Sequence, residues 1–198
     1  MNYKGYDFNA WGIGGTLTSG QYEKVIDVLE EFKPKRICEL GAGQSTLIFE
    51  KYIKDRRSDF FSIEHDNRYK RNNSVMFNLI ENTNITIGNN LYLNTNKYDG
   101  FEKWLINQDK FDFVLIDGPY GFNESYRYTR IQLLSFILLD KISDKSVVIC
   151  HDTERVNMRA TLSEFEKYLF DKGFKYSKEV INGDFNGARE LTMYNIHK

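Results

Sequence analysis

Short apolar segments alternate with amphipathic ones along most of this chain, and that alternation limits what the chain can fold into. The middle apolar segments are hydrophobic at consecutive positions, as in strands that are buried on both faces of a sheet. Strands that alternate with helices favour a parallel sheet covered on both sides, so we expect an α/β, doubly wound, mostly parallel fold. The expected strands are 36–40, 59–65, 84–88, 111–117 and 145–152, then an antiparallel hairpin of 174–180 and 188–196.

The segments between the strands carry apolar residues at helical spacing. Thr18 and Gln21 have the spacing of a capping box, which predicts that the first helix begins beside Thr18. Gly173 has the position of a residue that ends the last helix. The expected helices are 18–32, 45–54, 67–81, 101–108, 125–139 and 156–172.

The size of the chain predicts one domain. It has 198 residues, and a domain commonly has roughly 100–200. Residues 1–17 are rich in glycine and aromatic side chains, and we expect them to form an irregular segment in front of a single domain over 18–198.

Charge and cysteine content exclude several classes of protein. Lys and Arg total 27 against 28 for Asp and Glu, a net charge of −1, which argues against non-specific binding to nucleic acid. The two cysteines, Cys38 and Cys150, lie within different expected strands, so we expect buried thiols rather than a disulfide. No apolar run approaches the roughly 20 residues that span a bilayer, and the first residues lack the pattern of a signal peptide. These features predict a cytoplasmic protein without membrane contact.

Glycines follow the first strand, where a parallel sheet commonly binds its ligand. Gly41 and Gly43 lie between strand and helix, so the backbone there can approach a ligand and the helix N-terminus can face an anionic group. Thr46 stands where a dinucleotide fingerprint has its third glycine, which argues against an NAD enzyme. Glu64 ends the second strand and has the position of a carboxylate that accepts ribose hydroxyls. Together these features predict a ligand that contains a nucleoside.

Four segments carry a family resemblance: E-L-G-A-G-Q-S-T, S-I-E-H-D, F-D-F-V-L-I-D-G-P and V-V-I-C-H-D-T-E-R. This series resembles the motifs of class I S-adenosylmethionine-dependent methyltransferases, and the resemblance covers about residues 18–196. The chain is similar to small bacterial members and, in part, to the catechol O-methyltransferase-like group. The resemblance implies a seven-stranded sheet of order 3-2-1-4-5-7-6 with the last strand antiparallel, and S-adenosylmethionine as the cofactor.

The resemblance also implies a role for each motif residue that would contact the cofactor. Glu39 would face the methionine amino group, while Glu64 would bind the ribose. Asn89 or Asn90, after the third expected strand, would lie near the adenine amino group, and Asp117 beside the sulfonium. Gly41, Ala42 and Gly43 would line the methionine and ribose portion, and His65 would lie beside the adenine. Ser45 and Thr46 would help bind the carboxylate or cap the helix. Separately, glycine content and position suggest that Gly14, Gly15, Thr16 and Thr18 fold over the cofactor as a lid.

Asp117, His151 and Asp152 are expected to converge at the carboxyl ends of neighbouring strands. His151 is a candidate general base for methyl transfer to oxygen. Alternatively, Asp117 and Asp152 would bind a divalent cation that acidifies a hydroxyl of the acceptor. The catechol-type site has Asp, Asp and Asn, whereas Thr153 stands third here, which argues against the metal. Each residue also has a purely structural alternative. His151 would be a histidine hydrogen-bonded at the base of the loop, and Asp152 would be the N-cap of the helix that begins near Arg155.

Aromatic and basic residues follow the fourth strand. Tyr120, Tyr126 and Arg127 are candidates for an acceptor pocket, with Tyr128 and Arg130 beside them. The alternative is an amphipathic helix whose arginines extend into solvent. Arg155 and Arg159 present the same choice on the next helix.

The leading functional hypothesis is methyl transfer to a small-molecule or glycan acceptor, at oxygen. A non-catalytic module that binds S-adenosylmethionine and regulates a partner is the second. A nucleic-acid methyltransferase is disfavoured by the charge balance and by I-D-G-P-Y at the end of the fourth strand, where such enzymes carry N/D-P-P-Y/F/W. Acceptor recognition would come from 1–17, from the loops after strands four and five, or from a second subunit of a homodimer.

Overall fold

The computed structural model describes residues 2–7, 17–54, 56–87, 89–119, 128–182 and 189–198. The strands are β1 (Asn2–Tyr3), β2 (Tyr6–Asp7), β3 (Arg36–Leu40), β4 (Asp59–Glu64), β5 (Ser74–Met76), β6 (Leu79–Ile87), β7 (Asn90–Tyr98), β8 (Phe111–Ile116), β9 (Ile142–His151), β10 (Lys175–Ile181) and β11 (Leu191–His197). The helices are α1 (Ser19–Phe32), α2 (Gln44–Lys54), α3 (Phe101–Ile106), α4 (Gln132–Leu138) and α5 (Val156–Asp171).

A seven-stranded sheet forms the centre of the protein, in the order β10-β11-β9-β8-β3-β4-β5. The pairs β3–β4, β3–β8, β4–β5 and β8–β9 are parallel, and β11 is antiparallel to both of its neighbours. The expected α/β class, strand order and antiparallel last strand are therefore confirmed.

Both faces of this sheet are covered, which explains why its inner strands are apolar at consecutive positions. On β3, Ile37 packs with α1 and α2, whereas Cys38 packs on the opposite side with α3, α4 and α5. On β8, Leu115 and Val114 divide between the two faces in the same way. Because side chains alternate across a strand, each inner strand contributes to two hydrophobic layers.

The predicted third strand and the predicted helix over 67–81 are both wrong. A short 3₁₀ helix at Asn67–Tyr69 leads to β5, which is the third parallel strand. Residues 84–87, expected in the sheet, belong instead to β6, which pairs with β7 in a separate antiparallel hairpin, and residue 88 lies outside the described residues. Asparagines at 72, 73 and 78 bond readily to nearby backbone, which disfavours a helix interior and favours turns. Alternation of polar and apolar residues on both sides of 88–90 is the signal of the hairpin.

The remaining elements begin and end near their expected positions, with one late start. α5 and the closing pair β10–β11 match the prediction, whereas α4 begins only at Gln132, not at 125. Residues 2–7 of the segment expected to be irregular form the small hairpin β1–β2, whose Tyr3 donates to Asp27 of α1. The lid candidates Gly14, Gly15 and Thr16 lie outside the described residues.

Two further expectations concern cysteines and membranes. Cys38 and Cys150 are buried free thiols, as predicted, because β8 separates their strands. Among the described residues, no helix has the length and apolar character needed to cross a membrane.

The capping box at the start of α1 gives a direct test of the local prediction. The Thr18 side chain accepts from the Gln21 N–H, and the Gln21 side chain accepts from the Thr18 N–H. We expect Thr18→Ala to lower the free energy of unfolding by about 1 kcal/mol, because a helix N–H loses its acceptor. Urea denaturation measures the change, and Thr18→Ser, which keeps the hydroxyl, serves as the control. Equal stability of Thr18→Ala and wild type would contradict a stabilising cap.

Candidate functional site

The turn after β3 is packed directly against the end of β8. Gly41 has φ +92°, in the left-handed region, and a Cβ there would lie 2.6 Å from the Gly118 nitrogen. A Cβ on Gly118 would lie 2.6 Å from the Gly41 Cα and 2.8 Å from the Tyr98 hydroxyl. Contacts this short exclude any side chain at either position, so both glycines are required by packing. Around a Cβ on Gly43, by contrast, no described atom lies within 4 Å, so the turn faces open space there.

A buried carboxylate supports this turn from below. Glu39 of β3 is fully buried and accepts hydrogen bonds from the hydroxyls of Ser45, Thr46 (2.7 Å) and Ser62 (2.8 Å). Thr46 in turn accepts from the Gly43 N–H at 2.8 Å. Burial raises the pKa of Glu39 to about 7, although the three hydroxyls act to lower it. The structure thus places Glu39, Ser45 and Thr46 beneath the turn rather than in contact with open space.

Glu64 connects the end of β4 to the same turn. One carboxylate oxygen accepts from the Ala42 N–H at 2.8 Å, and the other accepts from the N–H groups of His65 (2.6 Å) and Asp66 (2.8 Å). Burial acts to raise the pKa of Glu64, but these hydrogen bonds and the adjacent His65 imidazole outweigh it and lower the pKa. Glu64 is therefore an anion fixed at the edge of the sheet.

These elements enclose a cavity of about 700 Å³, within the usual range of small-molecule sites. It lies beyond the carboxyl ends of β3, β4 and β8, where open α/β sheets bind ligands. Its walls include six residues to which the sequence analysis gave a role in binding the cofactor, together with ten others. The predicted residues in its lining are Gly41, Ala42, Gly43, Glu64, His65 and Asp117. Other residues in its lining are Gln44, Asp66, Arg68, Tyr69, Arg71, Leu79, Glu81, Tyr98, Gly118 and Pro119.

A cluster of charged residues lies at the ends of β8 and β9. Asp117 accepts a 2.7 Å hydrogen bond from the His151 Nδ1. Asp117, His151 and Asp152 each offer one possible metal-ligand atom, and these three atoms lie within 4.8 Å of one another. Arg130 lies between the acids, with one nitrogen 3.2 Å from Asp117 and 2.8 Å from Asp152. Burial acts to raise the pKa of Asp117, but His151 and Arg130 outweigh it and lower the pKa. The convergence of Asp117, His151 and Asp152 is thus observed.

Other predicted residues lie elsewhere. The strand expected before Asn89 is not part of the sheet; Asn89 is an exposed turn residue of the β6–β7 hairpin, away from the cavity lining. Asn90 donates to the Tyr168 hydroxyl of α5 at 2.8 Å. Tyr120, Tyr126 and Arg127 lie outside the described residues.

The remaining basic and aromatic candidates have structural partners. Tyr128 packs edge-on against Tyr92 of the hairpin, with 5.0 Å between the ring centroids. Arg155 contacts Asp152 at 3.1 Å, whereas the largely exposed Arg159 lies 3.9 Å from Glu190. Asp152 is not the N-cap of α5, because Arg155 has that position.

Sequence reasoning did not identify Tyr98, Gly118 or the bridging role of Arg130. Tyr98 lies on a hairpin that was expected to be a sheet strand and a loop. Gly118 lies within the recognised segment F-D-F-V-L-I-D-G-P, but the requirement for glycine at this position follows only from its contact with Gly41. No local pattern around Arg130 signals that its side chain turns inward.

Comparison with known proteins gives the fold a name. No family model matches the sequence, and no curated protein matches it. Among solved structures, an O-methyltransferase from Bacillus cereus in complex with SAH is similar with a TM-score of 0.61 at 11% identity, over 96% of this chain and 86% of that one. The O-methyltransferase TomG from Streptomyces achromogenes, solved with SAM, has a TM-score of 0.58 at 10% identity, over 92% and 82%. A precorrin-6y C5,15-methyltransferase from Geobacter metallireducens has 0.54 at 11%, over 96% and 97%.

The protein therefore has the class I S-adenosylmethionine-dependent methyltransferase fold. The neighbours include enzymes named for methyl transfer to oxygen and one named for positions C5 and C15. The fold alone leaves the acceptor atom open, so it must be argued from the site.

The raised pKa of Glu39 predicts a pH dependence of stability. The unfolded chain releases this proton near pH 4.5 and the folded protein near pH 7, so unfolding is favoured as pH rises between these values. Relative to Glu39→Gln, the free energy of unfolding of wild type should fall by about 3 kcal/mol across that window and be constant above it. Urea denaturation of both proteins from pH 4.5 to 8 measures the difference. A difference independent of pH would contradict the buried, protonated carboxyl.

Proposed function

We propose that the protein is an S-adenosylmethionine-dependent methyltransferase that acts on oxygen of a small-molecule or glycan acceptor. The observation that carries the proposal is Glu64, a carboxylate that lines the cavity and also binds the glycine turn through the Ala42 N–H. An ionised acid at the end of the second strand, beside a glycine turn after the first, suits a ligand that contains ribose. Similarity of fold to methyltransferases solved with SAM or SAH supports the same ligand.

The chain's own residues fit this cofactor. A carboxylate has about four acceptor sites, and the Glu64 oxygen that bonds Ala42 keeps capacity for a hydroxyl. Gly43 faces open space where a side chain would obstruct a ligand. The His65 ring lines the cavity and is 28% exposed, so it offers an aromatic surface to a purine, while the buried Tyr98 packs behind it with 5.9 Å between ring centroids. Bound S-adenosylmethionine would supply an activated methyl group on a sulfonium sulfur.

Transfer to oxygen requires an acceptor for the hydroxyl proton, and we assign that role to His151, a buried residue bonded to Asp117 of the cavity lining. Its Nδ1 bonds to Asp117, so the carboxylate favours the tautomer in which Nε2 has the free lone pair. The Nε2 atom is buried and has no hydrogen-bond partner among the described residues. In the proposed step the acceptor oxygen bonds to the methyl carbon as the carbon–sulfur bond breaks. The hydroxyl proton passes to Nε2, and the thioether SAH is released.

The near-neutral charge favours a small or glycan acceptor over a polynucleotide. A protein that neutralises many phosphates needs a surplus of Lys and Arg, whereas this chain has a net charge of −1. The runner-up function is a non-catalytic module that binds the same cofactor. It shares the cavity and differs only in the absence of turnover, so activity assays separate the two.

The cofactor assignment is tested by calorimetric titration with SAH. We expect Glu64→Ala to weaken SAH binding by about 10- to 150-fold, since hydrogen bonds to a charged group contribute about 1.5–3 kcal/mol. Glu81→Ala is the matched control, because Glu81 lines the same cavity but is exposed on β6. Unchanged affinity in Glu64→Ala, or a larger loss in Glu81→Ala, would contradict the ribose assignment.

Catalysis is tested by transfer of a radiolabelled methyl group to a panel of phenols, catechols, hydroxy acids and oligosaccharides. On any acceptor that turns over, we expect His151→Ala to lower kcat by about 10²- to 10⁴-fold while SAH affinity is retained. His197→Ala is the control, because His197 is exposed at the end of β11. Undiminished kcat in His151→Ala would exclude His151 as the base. SAH binding without turnover on the whole panel would favour the regulatory module.

A further inference from the structure

The acids at the ends of β8 and β9 have the spacing of a divalent metal site. Asp117, His151 and Asp152 offer ligand atoms that lie within 4.8 Å of one another. Carboxylate oxygens from adjacent strands are ligands that Mg²⁺ and Mn²⁺ prefer. Judged by the acids alone, this cluster would be a metal centre.

A guanidinium group lies between the two acids instead. A single nitrogen of Arg130 contacts Asp117 at 3.2 Å and Asp152 at 2.8 Å, which is the bridging position that a shared ion would take. A second nitrogen donates to the His151 carbonyl oxygen. The Arg130 residue is only 4% exposed. Arg130 therefore gives one oxygen of each carboxylate the positive partner that a metal ion would otherwise supply. The other Asp152 oxygen has no hydrogen-bond partner among the described residues, but it lies 3.1 Å from the guanidinium of Arg155.

The backbone holds this arrangement in place. Arg130 has φ +54° and Asp152 has φ +59°, both in the left-handed region that residues other than glycine rarely adopt. Arg130 also precedes α4, whose Leu133 N–H donates to the Arg130 carbonyl oxygen at 3.1 Å. The surrounding structure thus fixes the direction of the arginine side chain, as expected for a residue with a defined role.

Two other contacts oppose a metal ion. Thr153, in the third ligand position, accepts a 2.9 Å hydrogen bond from the Thr192 hydroxyl of β11. Arg155 adds a second guanidinium 3.1 Å from Asp152. A divalent cation would therefore meet two positive side chains and a threonine already engaged in a hydrogen bond. These residues do not fit the catechol-type metal.

We propose that Arg130 is the resident cation of this site and that the protein binds no divalent metal between Asp117 and Asp152. Arg130 is a positioning residue: it neutralises the acids and contacts the carbonyl of His151. The consequence, methyl transfer that needs no metal, rests on the proposed function, whereas the exclusion of metal does not. Removal of Arg130 would leave two buried carboxylates beside a histidine and so create a metal site.

The test is a titration with Mn²⁺ that is monitored by electron paramagnetic resonance, since the signal of free Mn²⁺ decreases when the ion binds to protein. We expect wild type to bind no Mn²⁺ at this site up to about 1 mM. Arg130→Ala should bind one Mn²⁺ per chain with a Kd at least about tenfold below that 1 mM limit. Adding Asp152→Asn to Arg130→Ala should abolish this binding. Arg155→Ala is the matched control; it removes an arginine from Asp152 but keeps the bridge, so it should gain no site.

Several outcomes would overturn the proposal. One is Mn²⁺ bound by wild type at one ion per chain and lost in Asp152→Asn. Another is a folded Arg130→Ala protein, verified by circular dichroism, that binds no Mn²⁺. If Arg130→Ala does not fold, Arg130→Gln, which keeps more of the volume, replaces it with the same expectation. Where an acceptor turns over, EDTA should leave kcat unchanged. A failure to find any acceptor would count against the proposed function, not against the exclusion of metal.

Discussion

The close approach of two backbones, at Gly41 and Gly118, is the contact on which the site depends. It brings the turn after the first sheet strand against the end of the fourth, at distances that no side chain would allow. The carboxyl end of β4 joins them through Glu64, which bonds to Ala42. One side of the cavity is therefore defined by main chain and by a carboxylate bound to main chain. These contacts form within the protein itself, so this side of the cavity is preorganised for a ligand.

Three carboxylates at the edge of the sheet are stabilised by different means. Glu39 is buried beneath three hydroxyls, and burial raises its pKa to about 7. Glu64 accepts hydrogen bonds from backbone N–H groups, which help to lower its pKa. Asp117 faces His151 and Arg130 and also has a lowered pKa. The same residue type therefore supports a turn, lines a cavity and orients a histidine, according to what surrounds it.

Much of the fold could be predicted from the sequence, because apolar runs and capping signals are local. That Gly41, Glu64 and Asp117 lie together could also be predicted, because they follow or end parallel strands and such strands bring their carboxyl ends to one edge of the sheet. The third strand could not be predicted, since Val75 and Leu79 fit a helix as well as an extended chain. The pairing of β5 with β4 is a tertiary contact that periodicity does not record. The bridging role of Arg130 was missed because its partners, at the ends of two neighbouring strands, lie 13 and 22 residues away along the chain.

The chain has the class I S-adenosylmethionine-dependent methyltransferase fold, and its charged cluster bears on how the proposed cofactor would be used. The central claim is that the cavity between the glycine turn and Glu64 holds the adenosyl group. A crystal structure of the complex with SAH tests it most directly. The account predicts ribose density within hydrogen-bond distance of Glu64 and the sulfur on the Asp117 side. SAH bound elsewhere, or density in this cavity that leaves Glu64 without contact, would contradict it.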